Sequence, residues 1–345
     1  EKEFLAGEEF WKIPYELYQH IRQKRKHRGS IDLDLPEAKI VLDEHGDAID
    51  IKKTERLHSH RLIEEFMIAA NEAVTELAEG ESWPFVYRVH ENPEPAALER
   101  FESFAIALGL KANLGDGDSP KLFAKFLEDI EDNPAASSLH FLLLRSLKQA
   151  RYDPMNLKHF GLASRAYTHF TSPIRRYPDL IVHRLLKRFI SHQVYQGEEH
   201  LKIEEYLVEA CQHCSRQERK AQDLDRTVTK IKKARFMSKH LGETFTGRIT
   251  GVTENGIFVE LNEWFIEGMV RIDELGDDYF EYFEDKLMLR GRRSGRKFML
   301  ADPLEILVVS ADTETGQINF TLCNSSKPEE KSRKPSRMFK GSARS

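Results

Sequence analysis

Cysteine is scarce, with three in 345 residues, so no disulfide framework holds this fold together. No stretch has the length and apolarity of a membrane span. The opening residues, Glu1-Lys2-Glu3-Phe4-Leu5, are acidic and lack the apolar core of a secretory signal. They do not start with Met, and the chain is read as a fragment or a processed product. Internal repeats are absent. Cys211 and Cys214 form a C-x-x-C around His213, but 203–220 has a helical pattern and Cys323 is distant, so neither zinc nor thiol redox chemistry is expected. His20, His27, His58, His60, His90, His159, His169 and His183 are scattered without ligand spacing. These absences exclude a secreted disulfide scaffold and a membrane-spanning protein. They point to a reducing, cytoplasmic setting.

What is present is ordinary globular material: 40% hydrophobic and 32% charged residues, enough for two or three domains. The net charge of −5 argues against a nucleic-acid partner until its distribution is considered. Residues 326–345 carry Lys327, Lys331, Arg333, Lys334, Arg337, Lys340 and Arg344 against Glu329 and Glu330. This tail is net +5 and the remainder −10. An acidic body with a basic, Ser- and Pro-containing tail predicts either a disordered arm that meets phosphate or a merely solubilising one.

Two further regions precede that tail. Residues 1–239 read as mostly helical with some strand. Helices are expected at 15–26, 58–78, 95–108, 120–132, 138–149 and 203–240, a hairpin over 29–51, and a short strand at 85–89. In the 58–78 segment Leu62, Ile63, Phe66, Ala70, Val74 and Leu77 recur at helical spacing. Residues 240–325 change character. Strands at 245–252 and 257–261 flank Asn255-Gly256, a tight-hairpin signal, and short strands follow at 268–271, 298–300, 305–309 and 318–322. The pattern predicts a five-stranded barrel, and the fold class is α+β. Phe258 is the candidate platform for a stacked base; the alternative is a core phenylalanine. Arg290, Arg292, Arg293, Arg296 and Lys297 sit in a Gly- and Ser-containing loop suited to phosphates, or simply solvated.

The densest run is Tyr167-Thr168-His169-Phe170-Thr171-Ser172-Pro173-Ile174-Arg175-Arg176-Tyr177-Pro178-Asp179. Ser172 suits a helix N-cap and Pro173 the first helical position. A helix start offers free N–H groups and a positive dipole end to a phosphate. Arg175 and Arg176 follow, pointing about 100° apart on a helix, so one can enter a site while the other braces its wall. Pro178 would begin a second helix. The alternative is a structural turn in which Arg175 or Arg176 pairs with Asp179.

This string closely resembles a signature of the ribonuclease II and ribonuclease R family, in wording nearer the ribonuclease R branch. Further matching stretches are Gln23 to Asp32, Leu62 to Asn71, Tyr87 to Pro93 and His159 to Ala163, so the resemblance covers nearly the whole chain. The barrel segment resembles the OB-fold RNA-binding domain repeated in a ribosomal protein. The resemblance implies the C-terminal part of a processive 3′-to-5′ exoribonuclease catalytic domain, then an OB-fold domain. Such an enzyme hydrolyses single-stranded RNA with magnesium and releases nucleoside monophosphates. It implies Arg175 at the scissile phosphate, Glu64 at ribose hydroxyls, and RNA contacts from Ser172, Arg176, Tyr177, Phe258 and the 290–297 loop. Leu33 stands where the family often carries a stacking aromatic. The family's metal-binding aspartates are expected upstream of Glu1, so no metal ligand is assigned in this chain. Asp32 with Asp34 is the nearest substitute and reads better as a solvated strand face; Asp116 and Asp118 read as turn residues. The chain alone is therefore expected to be inactive, a monomer partnered by single-stranded RNA and the missing N-terminal part. The alternative is a non-catalytic RNA-binding or regulatory fragment.

Overall fold

A computed structural model describes residues 9–32, 38–54, 57–81, 83–133, 135–193 and 195–323. The basic tail, Leu33 and Asp34 lie outside the described residues.

The first region begins with helix α1 (Glu9–Arg28), hairpin β1 (Ala38–Leu42) and β2 (Ala48–Lys53), and helix α2 (His58–Gly80). The hairpin expected over 29–51 pairs only across 38–53. Gly29–Asp32 is not strand, and the Ile31 N–H instead donates to the Gly161 carbonyl at 2.8 Å. α2 buries Leu62, Glu65, Ile68, Asn71, Thr75 and Ala78, one per turn. Helices α3 (Pro95–Ala107) and α4 (Pro120–Asp129) each open with a proline, where its missing N–H costs nothing. Strand β3 (Tyr87–Val89) pairs antiparallel with β4 (Arg151–Asp153) beyond helix α5 (Ala136–Ser146). An irregular loop leads from β4 to helix α6 (Tyr177–Ile190), and helix α7 runs for 40 residues from Glu198 to Met237.

α7 is the spine of the molecule. Its Ser215 hydroxyl accepts the Tyr152 N–H at 2.9 Å, tying the helix to β4. Lys232 Nζ donates to the Gly46 carbonyl of the hairpin, and Lys233 Nζ to the Phe265 carbonyl of the C-terminal barrel, both at 2.6 Å. One core joins α3–α5 and β2 to the barrel, with Phe123, Leu139, Leu143, Ile249 and Ile257 fully buried. Burying each such side chain contributes about 1.5–3 kcal/mol. A second core joins β3 and β4 to α6 and α7 through Phe85, Val86, Val182, Leu185 and Leu207.

The barrel is closed by β5 (Thr244–Thr253), β6 (Gly256–Leu261), β7 (Glu267–Arg271), β11 (Pro303–Ala311) and β12 (Ile318–Leu322), in the order β11-β12-β7-β6-β5. Closure removes the free edges an open sheet would leave. Two sequence expectations shift here. Thr253 pairs with Gly256, so Glu254 and Asn255 are the central residues of the first turn, and Gly256 already belongs to β6. Glycine is required there because φ is +145° and a Cβ would lie 2.2 Å from the Val270 carbonyl oxygen. The strand expected at 298–300 also lies outside the barrel. As β10 (Lys297–Met299) it joins β8 (Phe280–Phe283) and β9 (Met288–Gly291) in a separate antiparallel sheet inserted between β7 and β11.

Candidate nucleic-acid interface

The 171–176 segment is a single turn rather than a helix. The Ser172 carbonyl accepts the N–H groups of Arg175 (3.3 Å) and Arg176 (3.1 Å), and the chain enters α6 only at Tyr177. Ser172 caps no helix through its side chain, and the helix-start anion site expected at Ser172-Pro173 is not formed. The reason lies at Asp179, which is fully buried. Its Oδ1 accepts the Ser172 N–H and an Arg176 N–H, both at 2.8 Å. The carboxylate is thus the anion that the turn's backbone and Arg176 bind. Arg176 is committed to this pair. Arg175 is exposed and makes no ion pair among the described residues, and Ile174 beside it is fully exposed. Tyr177 is half exposed, its hydroxyl 2.8 Å from that of Tyr206 on α7.

Beneath the turn lies a stack of rings. Phe170 stacks on His183 with centroids 4.2 Å apart, and His183 Nε2 is 2.9 Å from the Phe170 carbonyl oxygen. Asn71 Oδ1 accepts the Phe170 N–H, and Asn71 Nδ2 donates to the Tyr167 hydroxyl at 2.8 Å. His169 Nδ1 lies 2.9 Å from the Tyr152 hydroxyl. Burial, with the nearby positive charge of Arg176, pushes the His169 imidazole down to about 2. Burial, helped by His90, pushes His159 down to about 3. The same burial pushes the Tyr152 phenol upward. His169 and His159 are thereby held neutral as hydrogen-bonding props for the turn.

On α2 the two neighbouring glutamates part ways. Glu65 is buried and bonded to the Arg25 guanidinium at 2.7 Å, whereas Glu64 is only half buried. In the barrel Phe258 is half buried on β6, its ring against Gly251 of the adjacent strand, where a Cβ would come within 3.2 Å. The expected loop is residues 292–296, which connect β9 to β10; Arg290 and Lys297, at its two ends, belong to those strands. Arg293 is tied to Asp278 and to the Asp277 carbonyl. Arg296 lies over the Phe298 ring at 4.7 Å. Arg290 and Lys297 are exposed, and Arg292, also exposed, lies over the Tyr279 ring at 4.5 Å.

The RNB domain family matches residues 11–192, more than half of the chain. This chain belongs to the ribonuclease R-like RNB family. The S1 RNA binding domain family matches residues 239–322, which hold the barrel and its inserted sheet. Ribonuclease R of Thermotoga maritima is 44% identical over 309 residues, 89% of this chain and 43% of that protein. Ribonuclease R 1 of Lactococcus lactis is 45% identical over 314 residues, 90% of this chain and 38% of that protein. The chain therefore spans less than half the length of these relatives. The solved Mycoplasma genitalium RNase R in complex with ribose methylated single-stranded RNA superposes with a TM-score of 0.85 at 32% identity, covering 90% of this chain and 49% of that one.

Magnesium is the metal the RNB resemblance implies, and the described residues do not suit it. No group of three or more His, Cys, Asp or Glu among them is placed to hold a metal ion. The carboxylates near the turn are taken by cations: Asp179 by Arg176, Glu218 by Arg88, Glu65 by Arg25 and Glu72 by Arg28. Cys211 is buried, and that burial pushes its thiol up to about 12, far from thiolate chemistry. The i,i+3 spacing of Arg176 and Asp179 is visible in the sequence, but the burial that makes Asp179 the anchor of the turn is not. Nor does the sequence single out Tyr206 and Tyr279, which carry no motif of their own.

Proposed function

We propose that this chain is the C-terminal part of a processive 3′-to-5′ exoribonuclease that hydrolyses single-stranded RNA to nucleoside monophosphates in the cytoplasm. The observation that carries the reading is Arg175: an exposed, uncommitted guanidinium on a turn anchored from below by Asp179, in a chain of the RNB family. A planar guanidinium suits the oxygens of a phosphodiester. Charge grows on those oxygens as the bond breaks, so Arg175 stabilises the transition state more than the ground state. Arg176 and Ser172 act by holding the turn, and Tyr177 by lining its flank. Glu64 accepts from a ribose 2′-hydroxyl, a means of preferring RNA to DNA. Phe258 offers a stacking face to incoming strand. In this reading the intact protein is a monomer, its magnesium is held by aspartates outside this chain, and no step is assigned here to that ion.

The test is Arg175→Ala in the intact protein. Expected is a fall of about 10²–10³ in kcat with RNA affinity changed only a few-fold. Equal losses in rate and affinity would reduce Arg175 to a binding contact.

A second reading rests on the S1 RNA binding domain match over residues 239–322: this chain is a non-catalytic RNA-binding piece. The two readings agree that the chain alone binds single-stranded RNA and degrades none. Magnesium-dependent release of nucleotides by the purified chain would overturn both.

A further inference from the structure

We propose that the outer face of the inserted β8–β9–β10 sheet is a stacking site for single-stranded RNA, with Tyr279 as its platform. The inference rests on the RNA-binding reading above, and adds to the basic residues expected from sequence a sheet face and an aromatic platform.

The argument starts from strand register. Residues directly opposite on neighbouring strands share a face, and successive residues alternate. Glu281 pairs with Arg290, and Arg290 with Lys297, so these three lie on one face. Tyr282, Leu289 and Phe298 pair across the other face, where Leu289 and Phe298 are buried. The Arg292 N–H donates to the Tyr279 carbonyl at 2.9 Å, which extends the β8–β9 ladder by one residue on each strand. Alternation therefore puts Tyr279 and Arg292 on the face of Arg290 and Lys297.

Side-chain geometry agrees. The Arg292 guanidinium lies 4.5 Å from the centroid of the Tyr279 ring, yet Tyr279 stays 65% exposed. A large aromatic held open this far, with a cation against it, has no role in the core. Glu281 approaches Arg292 at 3.8 Å and is the one carboxylate the register places on this face. Three cations with one exposed ring make a surface on which a base can stack while phosphates pass over Arg290 and Lys297.

The platform is also rigid. Asp278 accepts the N–H groups of Tyr279, Arg293 and Ser294 and the Ser294 hydroxyl, at distances from 2.6 to 3.2 Å. Gly291 allows this close approach, because a Cβ there would lie 2.4 Å from the Asp278 carboxylate. The backbone beneath Tyr279 is thus fixed before any strand arrives, which lowers the ordering cost of binding.

The test uses the full chain and a single-stranded oligoadenylate carrying one 2-aminopurine. Anisotropy reports affinity, and 2-aminopurine quenching reports stacking. Expected is binding with quenching by the unaltered chain. Tyr279→Leu, which keeps bulk but removes the ring, should weaken binding about tenfold and relieve quenching. Tyr279→Phe should restore both, and Arg292→Lys should relieve quenching with a smaller loss of affinity. Because the ring is exposed, circular dichroism of each variant should be unchanged. Unchanged affinity and quenching in Tyr279→Leu, with the unaltered chain still binding, overturns the stacking site alone. Failure of the unaltered chain to bind the oligonucleotide overturns this proposal together with the RNA-binding reading.

Discussion

Asp179 governs the candidate site without entering it. The buried carboxylate satisfies a backbone N–H of the turn and a guanidinium at once. Removing one partner of such a pair leaves the other uncompensated. Asp179→Ala should therefore lower the unfolding free energy by about 3 kcal/mol in urea titrations. Adding Arg176→Met should recover part of that loss, which a non-interacting pair would not show. The histidines set a pH limit. His90 Nδ1 accepts the Gly161 N–H and His159 Nδ1 the Leu162 N–H, so both rings act as neutral acceptors in the loop before the turn. Burial pushes both imidazoles below their ordinary value, His159 to about 3. The unfolded chain then takes up protons that the folded one refuses, and stability is lost as pH falls from about 6.5 toward 3. His159 alone should remove roughly 3 kcal/mol between pH 6.5 and pH 4. His159→Gln should flatten that limb of a stability–pH curve, and an unchanged slope would show that the ring is protonated in the folded state.

Among the elements, the turns and the inserted sheet departed furthest from sequence expectation. Helical periodicity located α2 and the prolines located the starts of α3 and α4, because those signals are local. At 171–176 Ser172-Pro173 carries the local signal of a helix start, and that preference loses to a buried carboxylate seven residues on. The glycines and serine of 290–297 mark the 292–296 loop, but not the strand pairing of its ends, Arg290 and Lys297. That pairing depends on β8, which carries no turn signal of its own, and on Asp278. The β5–β6 connection gives a direct check: Gly256→Ala must move a Cβ away from the Val270 carbonyl at a positive φ. A loss of about 2 kcal/mol or more is expected by thermal unfolding, with the strain confined to the barrel.

At the scale of the molecule, α7 couples the two regions. Lys233 is largely withdrawn from water, which pushes its ammonium below the usual value, and it donates to a barrel carbonyl. With Lys232 on the hairpin, it makes the helix a shared wall. One cooperative transition is expected by calorimetry, and Lys233→Ala should separate a lower-melting barrel transition from the rest. A single sharp transition in that variant would assign the coupling to the apolar core instead. Net charge is −5, so the proposed RNA binding must draw on local clusters. At the proposed site, two phosphates met by Arg290 and Lys297 should give a log–log salt slope of about −1.4.

The sequence by itself determined the family, the α+β class, the positions of most helices and the closed barrel. These follow from periodicity, proline and glycine placement, and long matching strings, all carried by neighbours along the chain. Only the tertiary structure decided which of two adjacent arginines is committed, which of two adjacent glutamates is buried, and which basic residues share a face with Tyr279. Each outcome depends on a partner distant in sequence, such as Glu65 meeting Arg25 across 40 residues. Burial then decides the matter, because a charge withdrawn from water must be paired whatever its motif suggests.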